Sequence, residues 1–290
     1  MSRQTAPIQF SVIVPTRDEA RNLPRLLSSL VSQEDVTFEV LVVDQDSCDA
    51  TREIAKDLGC LVLPAPRSAF YSPPSRSRNL GAAASHGNYL VHLDADMELP
   101  DVLLLRRLRD HFDDGAEAIV LHEVDVAYGF WSRVKAVERM CYIGTSIESP
   151  RAVSRKVFHE IGGYDVDVSS GEDYLMAARL ARHGVIARDH SLTLLHHTGS
   201  ISLWSLLSKK FNYGRTVGVY VRRARSVGSP SAGGLLVLSV ASYARHWRVA
   251  LRDPAHYVGI AILRPLEGAA VIIGMGWSSL KKSGRRTKTG

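Results

Sequence analysis

The stretch YLVHLDADMELP (residues 89–100) runs from an apolar segment, Leu90, Val91 and Leu93, into two carboxylates one residue apart, Asp94 and Asp96. Carboxylates at that spacing can serve a hard divalent cation such as Mg2+ or Mn2+, which prefers oxygen ligands and completes its shell with substrate phosphates. Two carboxylates alone make a weak metal site, so this use implies a phosphate-bearing substrate. The pair also suits a plain turn, because Asp is frequent where strands end. Other acidic residues stand in similar places. Asp44 and Asp46 close the apolar run of FEVLVVDQDS. Glu172 and Asp173 open the helical pattern GEDYLMAARL, where a carboxylate either complements the helix dipole or acts as a general base. Arg76 and Arg78, in SRSRNLGAA, stand just before a Gly/Ala-rich helix start, where a phosphate is readily held.

These residues need elements to place them. FSVIVPT, FEVLVVD, CLVLPA and NYLVHLDADM read as strands, the first two as fully buried runs, with helical patterns at DEARNLPRLLSSLVSQ (N-cap Asp18), DATREIAKDLG and RNLGAAAS between them. Strands alternating with helices imply a parallel sheet covered on both faces. In such sheets ligands bind beyond the carboxyl ends of the strands, where Asp44, Asp46, Asp94 and Asp96 all fall. Farther on, DVLLLRRLRDHF, SRKVFHEIGG and SSGEDYLMAARLARHG read as helices, and AEAIVLHEVDV and ARDHSLTLLHHTG as strands. The predicted class is α/β, a mostly parallel sheet flanked by helices.

The chain of 290 residues has 45% apolar and 23% charged residues, enough for a core without disulfides or structural metals. Cys48, Cys60 and Cys141 show no metal-ligand spacing and fit a reducing compartment. The first residues hold only a short apolar run broken by Pro15, giving an expectation of a cytoplasmic protein. The net charge of +6 is unevenly spread: residues 204–290 carry 15 Lys and Arg against Asp253 and Glu267, hence +13, leaving −7 on residues 1–203. We therefore expect a catalytic domain at 1–203 and a basic amphipathic helical extension at 204–290, ending in a flexible tail at 281–290. Apolar stretches there are cut by Arg264, Pro265 and Glu267, so helices lying on an anionic membrane are expected rather than spanning ones. Packing on the catalytic body or on a second copy of the chain, as a homo-oligomer, is the alternative. Lys209, Lys210 and Arg215, in SKKFNYGRT, could meet a diphosphate or a lipid phosphate, or form a solvated basic face.

Taken in order, SVIVPTRDEARNL, EVLVVDQDSCDAT, SRNLGAAASHGNYLVHLDADM, GGYD and GEDYLMAARL resemble the motifs of the family 2 glycosyltransferases with the GT-A fold, a Rossmann-like α/β architecture. The resemblance runs over about residues 8–200. It implies a hexosyltransferase-like enzyme that takes sugar from a nucleoside-diphosphate-sugar donor with a divalent metal, Mg2+ or Mn2+. By the resemblance, Pro15 and Asp44 lie where the nucleotide base is cradled, and Arg78 and Asn79 where the donor site is lined. Asp94 corresponds to the sugar- or ribose-contacting acid and Asp96 to the metal ligand. Asp173 corresponds to the catalytic base, with Glu172 beside it, and His196 to a histidine that can join the metal or the phosphates. Gln45 departs from the Asp or Asn that many members carry there, which leaves a uridine or guanosine donor open.

The implied chemistry is a single inverting displacement. Asp173 takes the acceptor proton while the metal on Asp96 neutralises the leaving diphosphate. The expected acceptor is a glycan or a polyprenyl-linked molecule at the inner face of the cell membrane, in cell-envelope glycan biosynthesis. A catalytically silent scaffold of the same fold and a polyprenyl-phosphate sugar synthase are the alternatives. A nucleotidyltransferase would want a glycine-rich phosphate loop, and VPTRDEARN has no Gly. Nucleic acid is not an expected partner, because it accounts for the basic tail and none of the carboxylates.

Overall fold

A computed structural model describes residues 7–66, 74–168, 170–230 and 232–286. The chain divides into two compact units. The first comprises Met1–Val124, Glu148–Asp165 and Met176–His197, and the second Asp125–Ile147, Val166–Leu175 and Thr198–Gly290.

The first unit is built on an eight-stranded sheet. In chain order its strands are β1 (Phe10–Thr16), β2 (Phe38–Asp44), β3 (Leu61–Pro64), β4 (Tyr89–His92), β5 (Met97–Glu98), β6 (Ala118–Tyr128), β7 (Ala152–Ser154) and β8 (Ile186–Ser200). They lie in the order β3-β2-β1-β4-β7-β6-β8-β5. The expected parallel arrangement holds for β3, β2, β1 and β4. Beyond β4 the sheet becomes antiparallel, so it is mixed, through β4–β7, β6–β7 and β5–β8. β7 is only three residues long, too short for a period to show in the sequence.

Alternation along β1 shows why this strand is apolar throughout. Phe10, Val12 and Val14 join one core, with Leu26, Leu30, Leu93 and Leu105. Ile13 points the other way, into a core with Val43, Leu90, Phe158 and Met176. Each such buried side chain contributes about 1.5–3 kcal/mol, and both faces contribute.

Helices α1 (Leu23–Val31), α2 (Thr51–Asp57), α3 (Pro74–Ala84), α4 (Leu104–Asp113), α6 (Arg155–Glu160) and α7 (Glu172–His183) match expected segments, whereas α5 (Phe130–Met140) has no counterpart among them. Two local readings change. The N-cap position of α1 is Asn22, not Asp18. Asp18 instead accepts the backbone N–H of Cys48 at 2.7 Å, tying the β1 and β2 ends together. Arg76 and Arg78 lie inside α3 rather than before it.

The second unit is helical: α5, then α8 (Leu203–Gly214), α9 (Val217–Val227), α10 (Ala232–Arg245), α11 (Trp247–Arg252) and α12 (Pro254–Arg286). Ser202 caps α8 by accepting the N–H of Ser205. Val134 and Val137 of α5 pack with Leu206 of α8 and Ile260 and Leu263 of α12. α8 and α12 touch backbone to backbone. A Cβ on Gly214 would fall 2.1 Å from the Val271 carbonyl oxygen, and one on Gly274 2.1 Å from that of Phe211. α12 overturns one expectation: Pro265 does not split it, and the 25-residue stretch Pro254–Ser278, whose most apolar 18-residue window has mean hydropathy 1.7, is long and apolar enough to cross a membrane by length and composition. The helix also runs through 281–286; the expected flexible tail at 281–290 reaches beyond it, and residues 287–290 lie outside the described residues.

Candidate active site

β4 ends at the centre of the sheet, and the residues after it carry the acids. Asp94 Oδ1 accepts Arg78 Nη2 of α3 at 2.7 Å, and Asp94 Oδ2 accepts Arg151 Nη1 at 3.3 Å. Arg151, just before β7, donates its Nε to Glu123 of β6 at 2.6 Å. Burial opposes ionisation of Asp94, but the two guanidiniums outweigh it and hold the carboxyl well below its ordinary range. Beneath them His92 is fully buried between the Phe158 and Tyr164 rings. Burial and then the charges of Arg78 and Arg151 hold its imidazole neutral, well below the ordinary histidine value.

Asp96 precedes β5, and β5 pairs with β8 so that Met97 stands opposite His196. That register brings His196 Nε2 to 3.3 Å from Asp96 Oδ1. His197 points elsewhere: its Nε2 meets Glu98 at 2.7 Å, while its N–H donates to the Asp96 carbonyl. Glu19, in the loop after β1, has its carboxyl raised by burial, with further contributions from Asp96 and Asp94. Among the described residues no three His, Cys, Asp or Glu side chains converge as a metal-ligand set. Asp96 and His196 together offer one oxygen and one imidazole donor. That set fits Mn2+ or Mg2+ only when substrate oxygens supply the rest of the shell.

The other donor-site candidates sit at the ends of β1, β2 and α3. Pro15 and Thr16 pair with Val43 and Asp44. Asp44 is buried, accepting the Thr16 hydroxyl at 3.2 Å, the Ser47 N–H at 3.0 Å and the Ser47 hydroxyl. Gln45 donates its amide to Ser77 of α3 at 2.8 Å. Asn79 plays a structural part. Its amide donates to the Tyr164 carbonyl at 2.8 Å and its oxygen accepts the Tyr164 N–H at 2.9 Å. Both ends of the carboxamide clamp the GGYD turn.

Glu172 and Asp173 begin α7 and belong to the second unit. Asp173 Oδ1 accepts the N–H of Tyr174 at 2.9 Å. Gly171 before them takes φ +83°, and a Cβ there would lie 2.6 Å from the Tyr220 ring, so only glycine fits this turn. Lys210 is partly buried. It lies beside Lys135, Glu138, Arg264 and Glu267 in a largely buried cluster of α5, α8 and α12. Arg215 donates to Asn212 at 3.3 Å.

Arg151, Glu123, Lys135 and Glu138 have no signal in the sequence. Each is meaningful only through pairing or packing between segments far apart in the chain, and no local pattern encodes that.

An α/β sheet with acids at its strand ends, continued by antiparallel strands, is the arrangement of a GT-A fold. Residues 11–166 match the family Glycosyl transferase family 2, and the chain belongs to it. It is 25% identical over 254 residues to the succinoglycan biosynthesis protein ExoA of Rhizobium meliloti, covering 80% of this chain and 76% of that one. It is 28% identical over 223 residues to the pre-mycofactocin glycosyltransferase of Mycobacterium tuberculosis, covering 70% of this chain and 46% of that one. In fold it resembles the mannosyltransferase PcManGT from Pyrobaculum calidifontis in complex with GDP-Man and Mn2+, with TM-score 0.62, 17% identity and 94% and 90% of the two chains covered. It also resembles glucosyl-3-phosphoglycerate synthase from Mycobacterium tuberculosis in complex with Mn2+, UDP and glucosyl-3-phosphoglycerate, with TM-score 0.52, 20% identity and coverage of 78% and 82%. The protein is a glycosyltransferase.

Proposed function

We propose that this enzyme transfers a sugar from a nucleoside-diphosphate-sugar donor to a glycan or lipid-linked acceptor, inverting the anomeric configuration. The observation that carries this reading is the division of labour in the acidic turn. Asp94 is locked between Arg78 and Arg151, while Asp96 faces His196 across the β5–β8 pair.

In this reading Pro15, Asp44 and Gln45 border the nucleotide base. Asp94 and Arg78 hold the sugar and ribose side of the donor, with Asn79 shaping that wall through Tyr164. A divalent cation held by Asp96 and His196 would supply Lewis-acid stabilisation of the leaving diphosphate. Asp173, its carboxylate oriented by the Tyr174 N–H and flanked by Glu172, accepts the proton of the acceptor hydroxyl. The acceptor oxygen forms its bond to the anomeric carbon as the bond from that carbon to the diphosphate oxygen breaks. The solved structures with GDP-Man, UDP and Mn2+ support a nucleotide-sugar donor and a divalent metal.

We assign the catalytic part to residues 1–203 and membrane contact to 204–290. The apolar stretch of α12, the exposed Trp204, Trp247 and Trp277, and the charge of +13 on residues 204–290 support an anionic membrane surface, on the cytoplasmic side.

A thermal-shift screen of nucleotide sugars with and without Mn2+ tests the donor, because a ligand that binds the folded state raises the melting temperature. A shift by one donor that grows with Mn2+ is expected, and no shift by any donor with Mn2+ present would sink the reading. Asp173→Asn should then lower kcat by roughly 10²–10⁴-fold; full activity in that variant refutes its role as base.

A further inference from the structure

The helical unit holds a second concentration of charge that the transfer chemistry above does not use. Glu138 and Glu267 are almost wholly buried, 1% and 3% exposed as side chains. Three cations surround them: Lys135, Lys210 and Arg264, each between a quarter and a third exposed. The acids are therefore the most buried members of the cluster, and the three cationic side chains are its partly exposed members. Three positive charges against two negative leave a surplus of one.

The surplus can be assigned to a residue. Arg264 pairs with Glu138 and, through Nη1, with Glu267 at 2.9 Å, and its Nε donates to the Tyr243 hydroxyl at 3.0 Å. Lys135 pairs with Glu138. Lys210 makes no hydrogen bond among the described residues; its nearest acid oxygen is Glu267 Oε1, 3.8 Å away. That buried oxygen has no hydrogen bond either, and Lys135 Nζ lies 3.6 Å from it. Lys210 Nζ also lies 5.6 Å from the centroid of the Tyr213 ring, a cation–π contact that accepts no conventional hydrogen bond. An ammonium carries three donors, and holding one half-buried with none of them accepted is unfavourable. Burial and the adjacent Lys135 pull the ammonium of Lys210 down to about 8. Such a site is completed by an anion with several acceptor oxygens.

We propose that Lys210, backed by Lys135 and Arg264, is a binding site for a phosphate group, and that this phosphate belongs to an amphiphilic acceptor. A phosphate monoester carries up to two negative charges and three acceptor oxygens, which matches one lysine with no hydrogen-bonded acceptor beside two further cations better than a lone carboxylate does. The apolar part of such a molecule has a surface in the same unit. Along α12, Ile260, Leu263 and Glu267 face the interior, while Val258, Ile262 and Leu266 form an exposed stripe. That the bound molecule is the acceptor rests on the glycosyltransferase reading; the phosphate site stands on the cluster itself.

The test measures binding of farnesyl phosphate, farnesol and inorganic phosphate to the full chain by titration calorimetry, with wild type, Lys210→Gln, Lys210→Arg and the tail variant Lys281→Gln/Lys282→Gln. The expected result is binding of farnesyl phosphate but not farnesol, weakened about tenfold or more in Lys210→Gln and largely kept in Lys210→Arg and in the tail variant. Inorganic phosphate binding as tightly as farnesyl phosphate, with the same dependence on Lys210, supports the site and assigns it to a soluble phosphate. Equal binding by wild type and Lys210→Gln, or equal binding of farnesol, overturns the proposal. The melting temperature of Lys210→Gln separates a ligand site from a structural one: a surplus cation with no hydrogen bond should be removable without loss, and a marked fall would count against a binding role. Donor binding by the same wild-type sample reports on the transferase reading independently.

Discussion

The two units treat buried charge in opposite ways. In the sheet unit, Arg78 and Arg151 face Asp94 and Glu123, two against two, and each guanidinium is within 3.3 Å of a carboxylate oxygen. In the helical unit, Lys135, Lys210 and Arg264 face Glu138 and Glu267, three against two. Burying a charge is costly unless it is paired and hydrogen-bonded. In the balanced cluster each guanidinium has a carboxylate within reach, and its effect is to hold Asp94 ionised. The unbalanced cluster keeps an unfavourable lysine that a hydrophobic residue of similar length could replace. Such a feature survives in a protein more readily when it serves function.

Three changes would break or sharpen this contrast. The largest effect on stability is expected for Glu138→Gln, which strands Lys135 and Arg264 in the interior; breaking a buried pair costs about 3–5 kcal/mol. Its neighbours, Lys135 first, hold Glu138 down to about 2 against burial. Its ionised form therefore stabilises the fold above about pH 4.5, and this is lost as the pH falls towards 2. Chemical denaturation at several pH values should show a lower baseline and a flatter acid limb for the variant than for wild type. Next, Arg151→Met should weaken donor binding by about tenfold to a hundredfold while Arg151→Lys restores part of it, since charge-assisted hydrogen bonds are worth about 1.5–3 kcal/mol. The double variant Arg151→Met/Glu123→Gln decides the cause: recovery would mean that Arg151 only neutralises Glu123, and no recovery that it positions Asp94. The smallest effect belongs to Lys210→Met. With its folded value near 8 and an ordinary value of 10.5, Lys210 destabilises the fold while protonated, so wild-type stability should rise between about pH 8 and 10.5. The methionine variant should lack that rise, and the same slope in both proteins would show that Lys210 is not the group responsible.

The parallel half of the first unit is legible because strands buried on both faces read as unbroken apolar runs, as FSVIVPT and FEVLVVD do. The acids at strand ends follow, since Asp44, Asp94 and Asp96 come directly after those runs. The antiparallel half is not legible in the same way. Ala152–Ser154 carries no period, yet its pairing with β4 brings Arg151 to Asp94. α5 is hidden because FWSRVKAVERM mixes apolar and charged residues, and its buried Glu138 makes sense only beside α12. In α12, charge and proline look like interruptions. A proline deprives a helix of one hydrogen bond, and packing of Ile260 and Leu263 keeps the flanking turns together. Arg264 and Glu267 neutralise each other within the bundle rather than facing solvent as separate charges. Asn79 shows the reverse: its place in the motif is legible, but not that its carboxamide is consumed in holding Tyr164.

β5 is only two residues long, and two residue pairs, Met97↔His196 and Glu98↔Leu195, fix its alignment with β8. Residues 93–96 span the whole distance from β4 to β5. Insertion or loss of a single residue there would slip this alignment and turn the side chains to the opposite face of the sheet, parting Asp96 from His196 even with both amino acids retained. Along its lineage this stretch should therefore accept exchanges of residue type while holding its length constant. A ruler of four residues, more than the identity of any one of them, would keep the carboxylate and the imidazole in register.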